Sequence, residues 1–248
     1  MSHAPALSVI VACKNPGDRL RAALASVWAQ RDAALELIVV DGGSTDGTRA
    51  WLESQRARIA TLIAEPDRGV YDAMNKGVAA ARGDWVYFLG ADDRIAGDTV
   101  MGTALNWTRQ TESGVVAGEA AFADGRVYRF ATEFSPLARN FVHHQAALYR
   151  RALFAENGAF DAALTVMADY EFNLRLWKHR VRFRPMPLRV AECGAGGLSD
   201  RGAWRGYREE ITVRHRHFPA WRCAPWDALS FVRWLRKKIV RLGRRPAS

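Results

Sequence analysis

The stretch LELIVVDGGSTDGT, residues 35–48, decides the fold of this chain because an apolar run stops abruptly at acidic and glycine residues. The same arrangement recurs in TLIAEPDRG, residues 61–69, and in DWVYFLGADD, residues 84–93. Continuous apolar runs are typical of buried parallel strands, and an open α/β sheet binds its ligands outside the carboxyl ends of such strands. The three acidic clusters are therefore predicted to meet at one crevice, where carboxylates and glycine backbone suit a sugar, a ribose or a divalent cation that bridges phosphates.

The order of the predicted elements favours a doubly wound α/β sheet. A strand is predicted over residues 7–13, and an apolar stripe at helical spacing predicts a helix over residues 70–81. Strands that alternate with helices imply right-handed parallel crossovers. Beyond Gly97, shorter β-like pieces at residues 114–118 and 126–131 are predicted to be antiparallel strands of a mixed sheet. The other predicted elements are helices near residues 18–30, 99–110 and 169–179, strands at 35–41, 85–89 and 145–149, and an extended segment at 181–190.

Bulk properties narrow the class of protein. The 248 residues are enough for one large α/β domain, and an apolar content of 49% can build its core. No run approaches the roughly 18–20 uncharged apolar residues of a membrane-spanning helix, and the first residues show no basic leader, so we expect a cytoplasmic protein. Cys13, Cys193 and Cys223 lie far apart without CxxC spacing, which indicates neither a disulfide framework nor a zinc site.

Positive charge is concentrated at the C-terminus. Residues 201–248 contain 13 lysines and arginines against 3 acidic residues, an excess equal to the formal net charge of +10 of the whole protein. Apolar residues recur there every three or four positions beside basic ones, which predicts a basic amphipathic helix. These apolar residues are Leu229, Val232, Leu235, Ile239 and Leu242.

Three partners are compatible with this tail: an anionic membrane surface, a nucleic acid, or the body of the protein itself. A nucleic acid is disfavoured because residues 1–200 carry no net charge and no base-reading motif occurs. Anionic lipid attracts lysine and arginine, and aromatic side chains enter the headgroup layer. We therefore predict binding to an anionic membrane surface, with docking on the body as the alternative.

Seven strings resemble, in the same order, the motifs of glycosyltransferase family 2, whose members have the GT-A fold. They are VVDGGSTDGT, EPDRGVYDAMNKG, ARGDWVYFLGADD, HHQAALYRRALF, GAFD, ADYEFNLRL and GGLS. The likeness covers roughly residues 7–199 and is greatest to bacterial members that extend lipid-linked oligosaccharides for colanic-acid-type exopolysaccharide. It implies a three-layer GT-A (Rossmann-like) mixed sheet, mostly parallel, in residues 1–200. The basic amphipathic helix predicted above makes residues 201–248 a helical extension of this domain.

The resemblance implies inverting transfer from a nucleotide diphosphate sugar, helped by Mg²⁺ or Mn²⁺. The basic tail is expected to hold the enzyme at the inner face of the cell membrane. A polyprenyl diphosphate-linked saccharide is the implied acceptor. Independently of the family, displacing a nucleoside diphosphate builds negative charge on the leaving phosphate, which a divalent ion stabilises. Two other classes of protein stay open. One is a nucleotidyltransferase, although ACKNPGDR is a poor match to the triphosphate-binding loop that such an enzyme needs. The other is an inactive scaffold that binds sugar nucleotides.

By resemblance, Asp93 is a metal ligand, and Asp92 bonds the donor's ribose or shares the metal. Asp41 matches the acid that contacts the nucleobase. Asn75 and Lys76 belong to the helix that faces the crevice, and Lys76 can reach a diphosphate as a point charge. Simpler interpretations remain: the acidic residues are also good turn and helix-capping residues, and Lys76 can be a solvated helix residue. The family's commoner form has an acid at Gly90 and often Arg at Met74, so one carboxylate and one cation are missing.

The acceptor hydroxyl needs a base in a single in-line displacement. By resemblance this base is Asp169 in ADYEFNLRL; Asp169 is also a good helix N-cap, and Glu171 is the next candidate for the base. His143, His144 and Gln145 fall where the family places its acceptor-side loop. Two adjacent histidines are expected to point to different sides of an extended chain, so we do not expect both to bind one metal. Either one of them bonds an acceptor hydroxyl or phosphate, or both are structural.

Overall fold

Four strands of almost entirely apolar sequence form one half of a nine-stranded sheet. The computed structural model describes residues 5–130, 135–194 and 204–243 of the chain. All four strands are parallel to one another and are arranged in the order β3-β2-β1-β4. They are β1 (Leu7–Cys13), β2 (Leu35–Asp41), β3 (Thr61–Ala64) and β4 (Trp85–Gly90). Successive residues of β1 and β2 are buried, which requires cover on both faces of the sheet.

Helices supply this cover and make three layers. Residues of α1 and α4 pack on one face against Leu7, Val9 and Val11, whereas α3 packs on the opposite face against Ile10. Gly77 allows α3 to approach closely, because a Cβ atom at this position would overlap the side chain of Ile10. The helices in this half are α1 (Arg19–Trp28), α2 (Thr48–Ser54), α3 (Val70–Ala80) and α4 (Val100–Arg109).

The second half of the sheet contains both strand directions. Its strands are β5 (Arg94–Ile95), β6 (Val115–Phe122), β7 (Val127–Arg129), β8 (Ala147–Arg150) and β9 (Phe183–Cys193). The sheet continues in the order β4-β8-β6-β9-β5, with β7 on the side of β6. β8 is antiparallel to β4 and β6, β7 is antiparallel to β6, and β9 runs parallel to β6. The predicted three-layer mixed α/β sheet is therefore confirmed.

The C-terminal helices pack on the face that α3 covers. They are α5 (Ala152–Asn157), α6 (Ala168–Lys178), α7 (Trp204–His217) and α8 (Ala220–Gly243). Val213, Phe218 and Cys223, from α7 and the start of α8, belong to the same buried cluster as Phe172 of α6. The predicted boundary at residue 200 and the string GGLS lie outside the described residues, and the division into two domains stays a prediction.

The carboxylate of Glu209 ties α7 to the segment that precedes α6. It accepts hydrogen bonds from the backbone N–H groups of Thr165, Val166 and Met167, at 3.1, 2.8 and 3.1 Å. The C-terminal region therefore fixes a segment that reaches the candidate site. Within the described residues, no helix combines the length and apolar character needed to cross a bilayer.

Candidate functional site

A cavity of about 400 Å³, the central cavity, opens at the carboxyl ends of β1 and β4. It collects residues from both halves of the sheet and from the start of α6. This is the position at which the parallel strands predict a ligand site. The polar and ionisable residues that line it are Cys13, Lys14, Asn15, Arg19, Tyr71, Asp92, Tyr128, Asn140, His143, His144, Gln145, Thr165 and Asp169.

Asp92 and Asp93 are placed differently although they are adjacent. Asp92 lines the central cavity with a side chain that is 31% exposed, and its carboxylate lies 3.7 Å from Nη1 of Arg19. Asp93 is buried: the backbone N–H of Gly194 donates to its Oδ1 at 2.8 Å, and the Gln145 amide donates to its Oδ2. Burial raises the pKa of Asp93 to about 6 although the bond from Gly194 favours the charged form.

Asp92 fits a hard cation that keeps most of its water. Mg²⁺ is commonly held by one or two carboxylates together with substrate phosphates, and a cavity-lining carboxylate meets that requirement. Asp93 has protein donors on both oxygens, so its predicted role as a direct metal ligand stays a prediction. No group of three or more His, Cys, Asp and Glu side chains that could hold a metal occurs among the residues described.

Gly90 has a structural reason to lack a side chain. A Cβ atom at this position would overlap the carboxylate of Asp93 and would lie 2.7 Å from Nε2 of Gln145. The acid that the family commonly carries there would therefore displace the contact between Asp93 and Gln145. The buried contact between Asp93 and Gln145 therefore requires a residue without a side chain at position 90.

Asp169 lies in the first turn of α6 at the opposite side of the central cavity. Its Oδ2 accepts a hydrogen bond from Nδ2 of Asn140 at 2.8 Å and lies 3.0 Å from Nδ1 of His144. Its Oδ1 contacts the Tyr71 hydroxyl at 3.1 Å and the backbone N–H of Tyr170 at 2.8 Å. Helix α6 starts at Ala168, so Asp169 is not the N-cap that the sequence left as an alternative.

The environment keeps Asp169 ionised. Burial alone would raise the pKa of Asp169, but the hydrogen bonds from His144 and from the backbone N–H of Tyr170 lower the pKa below its ordinary value. The alternative base, Glu171, lies two residues further along α6 and is paired with Arg175 at 2.8 Å and with His217 at 3.1 Å. Glu171 does not line the central cavity, whereas Asp169 does.

The rings of His143 and His144 stack, which corrects the expectation that they point to opposite sides. Their centroids are 5.3 Å apart and the ring planes differ by 11°. A short 3₁₀ turn, His144–Ala146, begins at the second histidine, so the chain is no longer extended there. Burial and the neighbouring His144 lower the pKa of His143 to about 3, which keeps the His143 ring neutral.

Asp41 is fully buried at the end of β2, where its carboxylate accepts hydrogen bonds from the backbone N–H and the hydroxyl of Ser44. The Ser44 hydroxyl in turn accepts a bond from the backbone N–H of Asn15 at 2.8 Å. Asp41 thus holds the loop that follows β1, which lines the central cavity. Direct contact between Asp41 and a nucleobase stays a prediction.

Asn75 and Lys76 do not line the central cavity, although the sequence predicts donor contacts for both. Nδ2 of Asn75 donates to the carbonyl of Phe160 at 2.9 Å, and Oδ1 accepts from the Phe160 N–H at 3.0 Å. Nζ of Lys76 lies 2.8 Å from the carboxylate of Glu65 and 2.9 Å from the carbonyl of Pro66. In this structure both side chains are bonded to other residues of the protein, and their contacts with the nucleotide-sugar donor stay predictions.

Lys14 and Arg19 are cations at the central cavity that the sequence analysis missed. Lys14 directly follows β1, so the rule that singled out the ends of β2 and β4 could have found it. Arg19 lies one residue inside the first expected helix and carries no comparable signal. Both side chains are exposed, and Arg19 lies beside Asp92.

A second and larger space, the outer cavity, adjoins the central one. It has a volume of about 640 Å³, and four arginines, Arg68, Arg139, Arg205 and Arg233, contribute to its lining. Several residues line both spaces, so that the outer cavity reaches the side of the central cavity where Asp169 lies. The shared residues are Val70, Tyr71, Asn140, Thr165, Val166 and Met167.

Comparison with protein families agrees with the fold. The model of the glycosyl transferase family 2 domain matches residues 8–159. The chain belongs to this family, and the predicted glycosyltransferase class is confirmed. It is 34% identical over 206 residues to a PGL/p-HBAD biosynthesis glycosyltransferase of Mycobacterium bovis, with 79% of this chain and 80% of the relative covered. The narrower likeness to colanic-acid-type members stays a prediction.

Two solved structures share the fold at low sequence identity. Staphylococcus aureus TarS 1–349 in complex with UDP-GlcNAc has a TM-score of 0.70 and 19% identity, covering 93% of this chain and 72% of that one. The mannosyltransferase PcManGT of Pyrobaculum calidifontis, in complex with GDP-Man and Mn²⁺, has a TM-score of 0.66 and 21% identity, covering 94% and 70%. These likenesses support the GT-A fold.

Proposed function

We propose that this protein transfers a sugar from a nucleotide diphosphate sugar to an acceptor hydroxyl, with inversion at the anomeric carbon. The donor diphosphate binds at the Asp92 side of the central cavity and the acceptor enters from the Asp169 side. The observation that carries this proposal is that two carboxylates from different halves of the fold line one cavity at the ends of β1 and β4. The complexes of the two structural neighbours with UDP-GlcNAc and GDP-Man support a donor of this class.

The residues around the diphosphate side suit a leaving group that gains negative charge. Lys14 and Arg19 offer two cations, and Asp92 can hold Mg²⁺ or Mn²⁺. The bound ion would neutralise charge that develops on the leaving diphosphate. Because the described residues provide one cavity-lining carboxylate in this region and no cluster of three ligands, we expect the cation and the donor phosphates to bind together. PcManGT, whose structure contains Mn²⁺, supports the choice of metal.

The outer cavity suits an acceptor that is both apolar and anionic. Its lining combines apolar residues such as Leu164 and Met167 with the four arginines already named. A saccharide linked to a polyprenyl diphosphate has this combination, since the prenyl chain is apolar and the diphosphate attracts arginine. The sugar end of such an acceptor would enter the central cavity through the lining that the two spaces share.

The outward side of α8 suits an anionic membrane surface. Leu229, Val232, Leu235 and Ile239, four of the five residues of the predicted apolar stripe, are 40–60% exposed, and basic residues such as Arg236 and Lys238 belong to the same helix segment. Apolar insertion and attraction to anionic lipid act together at such a surface. The start of α8 packs against the body of the protein. Docking therefore describes the first part of this helix, and membrane binding is proposed for the exposed part that follows.

The test is a binding and transfer screen on the full chain. Thermal shift is measured with UDP-GlcNAc, UDP-glucose, GDP-mannose and dTDP-glucose, with and without Mn²⁺. We expect one nucleotide class to raise the melting temperature in the presence of Mn²⁺, and the same donor to lose its sugar slowly to water. Binding without any turnover would favour the inactive scaffold instead. Absence of binding to all four donors would contradict the proposal.

A further inference from the structure

Four aromatic side chains, the aromatic cluster, lie where α7 and α8 adjoin the outer cavity. They are Trp204 and Tyr207 of α7 and Phe231 and Trp234 of α8. The ring centroid of Trp204 lies 5.0 Å from that of Trp234 and 6.0 Å from that of Phe231. The Tyr207 ring is nearly parallel to that of Trp204, with centroids 6.4 Å apart. These contacts make the four rings one surface that extends across both helices.

The cluster is partly open to solvent although its rings are apolar. Trp204 is 39% exposed and Phe231 is 49% exposed. The cluster also has a basic rim, since Nζ of Lys238 lies 5.2 Å from the ring centroid of Trp234. Neighbouring exposed apolar side chains that are rimmed by polar groups are typical of a surface that binds a partner.

The aromatic cluster connects the outer cavity with the apolar stripe of α8. On one side, Tyr207 belongs to the lining of the outer cavity. On the other side, Phe231 lies four residues before Leu235 of the stripe, so these two side chains are neighbours on one face of the helix. Apolar surface is therefore continuous from the proposed membrane-contacting stripe, across the cluster, to the outer cavity.

Each tryptophan of the cluster is adjacent in sequence to an arginine of the outer cavity. Arg205 follows Trp204, and Arg233 precedes Trp234. Both arginines line the outer cavity, and neither tryptophan is among the described residues that line it. Successive residues of a helix point about 100° apart, so the guanidinium groups face the cavity while the neighbouring rings lie outside it. Cations and an apolar surface thus lie side by side at the mouth of this cavity.

The outer cavity has an excess of positive charge. Among the lining residues that the structure describes, the four arginines are accompanied by one carboxylate, that of Glu210. This carboxylate lies 3.6 Å from Nη1 of Arg214 and 2.7 Å from Nη2 of Arg233, so its charge is already compensated within the protein. The cavity therefore favours an anionic group, whereas the cluster beside it favours an apolar chain.

We propose that the aromatic cluster binds the apolar chain of a prenyl diphosphate-linked acceptor where this chain leaves the bilayer, while the acceptor's diphosphate lies among the arginines of the outer cavity. This inference rests on the proposed transfer to a lipid-linked saccharide. In a prenyl diphosphate the first carbon of the chain is bonded directly to a phosphate oxygen. Its binding site therefore needs a cation immediately beside an apolar surface, which is how Arg205 and Trp204 are placed.

Farnesyl diphosphate is the probe, because it combines a diphosphate with a short prenyl chain and is soluble. Calorimetric titration of the full chain is performed in EDTA, so that the probe cannot bind through a divalent cation. Wild-type protein should bind farnesyl diphosphate at least about tenfold more tightly than inorganic pyrophosphate or farnesol, since each of these offers only one of the two interactions.

Trp204→Ala should weaken the binding of farnesyl diphosphate by at least about tenfold, because it removes apolar contact with the chain. It should leave the affinity for pyrophosphate within about twofold of the wild-type value. Trp221→Ala is the matched control, since Trp221 lies near the start of α8, is 77% exposed and is not among the described residues of the outer cavity. This control should bind both probes as the wild type does.

Phe231→Ala tests the same subsite from the other helix, so the result does not depend on the stability of the Trp204 variant. It should weaken farnesyl diphosphate binding by at least about threefold at an unchanged melting temperature. Vesicles of phosphatidylcholine and phosphatidylglycerol, without prenyl lipid, should bind both variants within about threefold of the wild type, because the apolar stripe of α8 is retained.

Wild-type affinity for farnesyl diphosphate in both variants would overturn this inference, and loss of vesicle binding in its place would make the cluster a membrane anchor only. An equal loss of pyrophosphate binding, or an equal effect of Trp221→Ala, would also overturn it. So would a wild type that binds pyrophosphate as tightly as farnesyl diphosphate. The proposed function fails separately, in the screen of nucleotide sugars with Mn²⁺, where the aromatic cluster takes no part.

Discussion

The guanidinium of Arg214, in α7, lies 2.9 Å from the carboxylate of Asp227, in α8, and Arg214 has no exposed surface. The same guanidinium donates to the carbonyl of Leu137 and to the hydroxyl of Ser230, at 3.2 and 2.7 Å. A buried charge of this kind is tolerated because its partners are in place. The contact therefore joins the two last helices to each other and, through Leu137, to the body.

Asp227→Asn should destabilise the fold. The substitution keeps the shape of the side chain but removes the nearer of the two carboxylate charges that face buried Arg214, the other being Glu210 at 3.6 Å, so the free energy of unfolding should fall by about 1–3 kcal/mol. Denaturant unfolding followed by circular dichroism measures the change. Asp18→Asn is the control, because Asp18 forms a surface pair with Arg21 and should change stability by less than about 0.5 kcal/mol. Equal stability of the two variants would show that Arg214 does not depend on Asp227.

Asp92→Asn and Asp93→Asn should show which of the two adjacent carboxylates binds the cation. Because Asp92 lines the cavity, Asp92→Asn should remove the increase in donor affinity that Mn²⁺ produces, a loss of at least about tenfold. Asp93→Asn should keep more of the Mn²⁺ effect than Asp92→Asn, since Asp93 is buried and each of its oxygens already accepts one hydrogen bond from the protein. Calorimetric titration of donor with and without Mn²⁺ makes the comparison. The reverse pattern would establish Asp93 as the ligand, and an effect of neither would place the cation elsewhere.

The parallel half of the fold could be predicted from the sequence because its determinants are local. Each strand there is a continuous apolar run, and the end of such a run indicates where the ligand crevice lies. Asp92 and Asp169 were both identified from motifs, and the structure brings them to one cavity. Lys14 had the same kind of signal as Asp41, namely its position at the carboxyl end of a strand, and was overlooked.

Contacts between residues that lie far apart along the chain could not be predicted from the sequence. Asn75 has a side chain suited to a donor contact, but the backbone of Phe160, 85 residues away, uses both of its polar atoms. The bond between His144 and Asp169 likewise depends on how the loop before β8 meets α6. The stacked histidines were mispredicted because a 3₁₀ turn starts where extended chain was expected. Such pairings are set by tertiary packing and not by spacing along the chain.

Stability should depend on pH through Glu36. Burial would raise the pKa of Glu36, but bonds from the Ser8 hydroxyl and from Arg82 lower it below its ordinary value of 4.5. A lowered folded-state pKa contributes stability that is present above the unfolded pKa and is lost as pH falls through the folded one. Unfolding free energy should therefore decline below about pH 4.5.

Glu36→Gln is the variant that assigns this effect. It should cost about 1–3 kcal/mol at pH 7 and should make the decline below pH 4.5 shallower than in the wild type. Glu112→Gln is the matched control, because Glu112 is almost fully exposed in its pair with Arg182 and should leave the pH profile unchanged. Identical pH profiles in wild type and Glu36→Gln would show that other carboxylates govern acid unfolding.

The membrane proposal requires a test that spares the docked part of α8. Removing residues 226–248 would also remove Asp227 and Ser230, which hold buried Arg214, so a truncated protein would confuse unfolding with loss of membrane contact. Val232→Asp combined with Ile239→Asp changes only exposed positions of the apolar stripe. Val127→Asp, at an exposed valine outside the helix, is the matched control.

Sedimentation with vesicles that contain anionic lipid measures the outcome. Wild-type protein and Val127→Asp should sediment with the vesicles, and their binding should weaken but persist in high salt, because salt screens charge attraction and leaves apolar insertion in place. The double variant should lose at least about tenfold in affinity, since two aspartates both remove apolar contact and repel anionic lipid. Its melting temperature and its rate of donor hydrolysis should match the wild type. Vesicle binding equal to that of the wild type would contradict the assignment of this stripe, and absence of binding by the wild type would contradict the membrane proposal while leaving the glycosyltransferase intact.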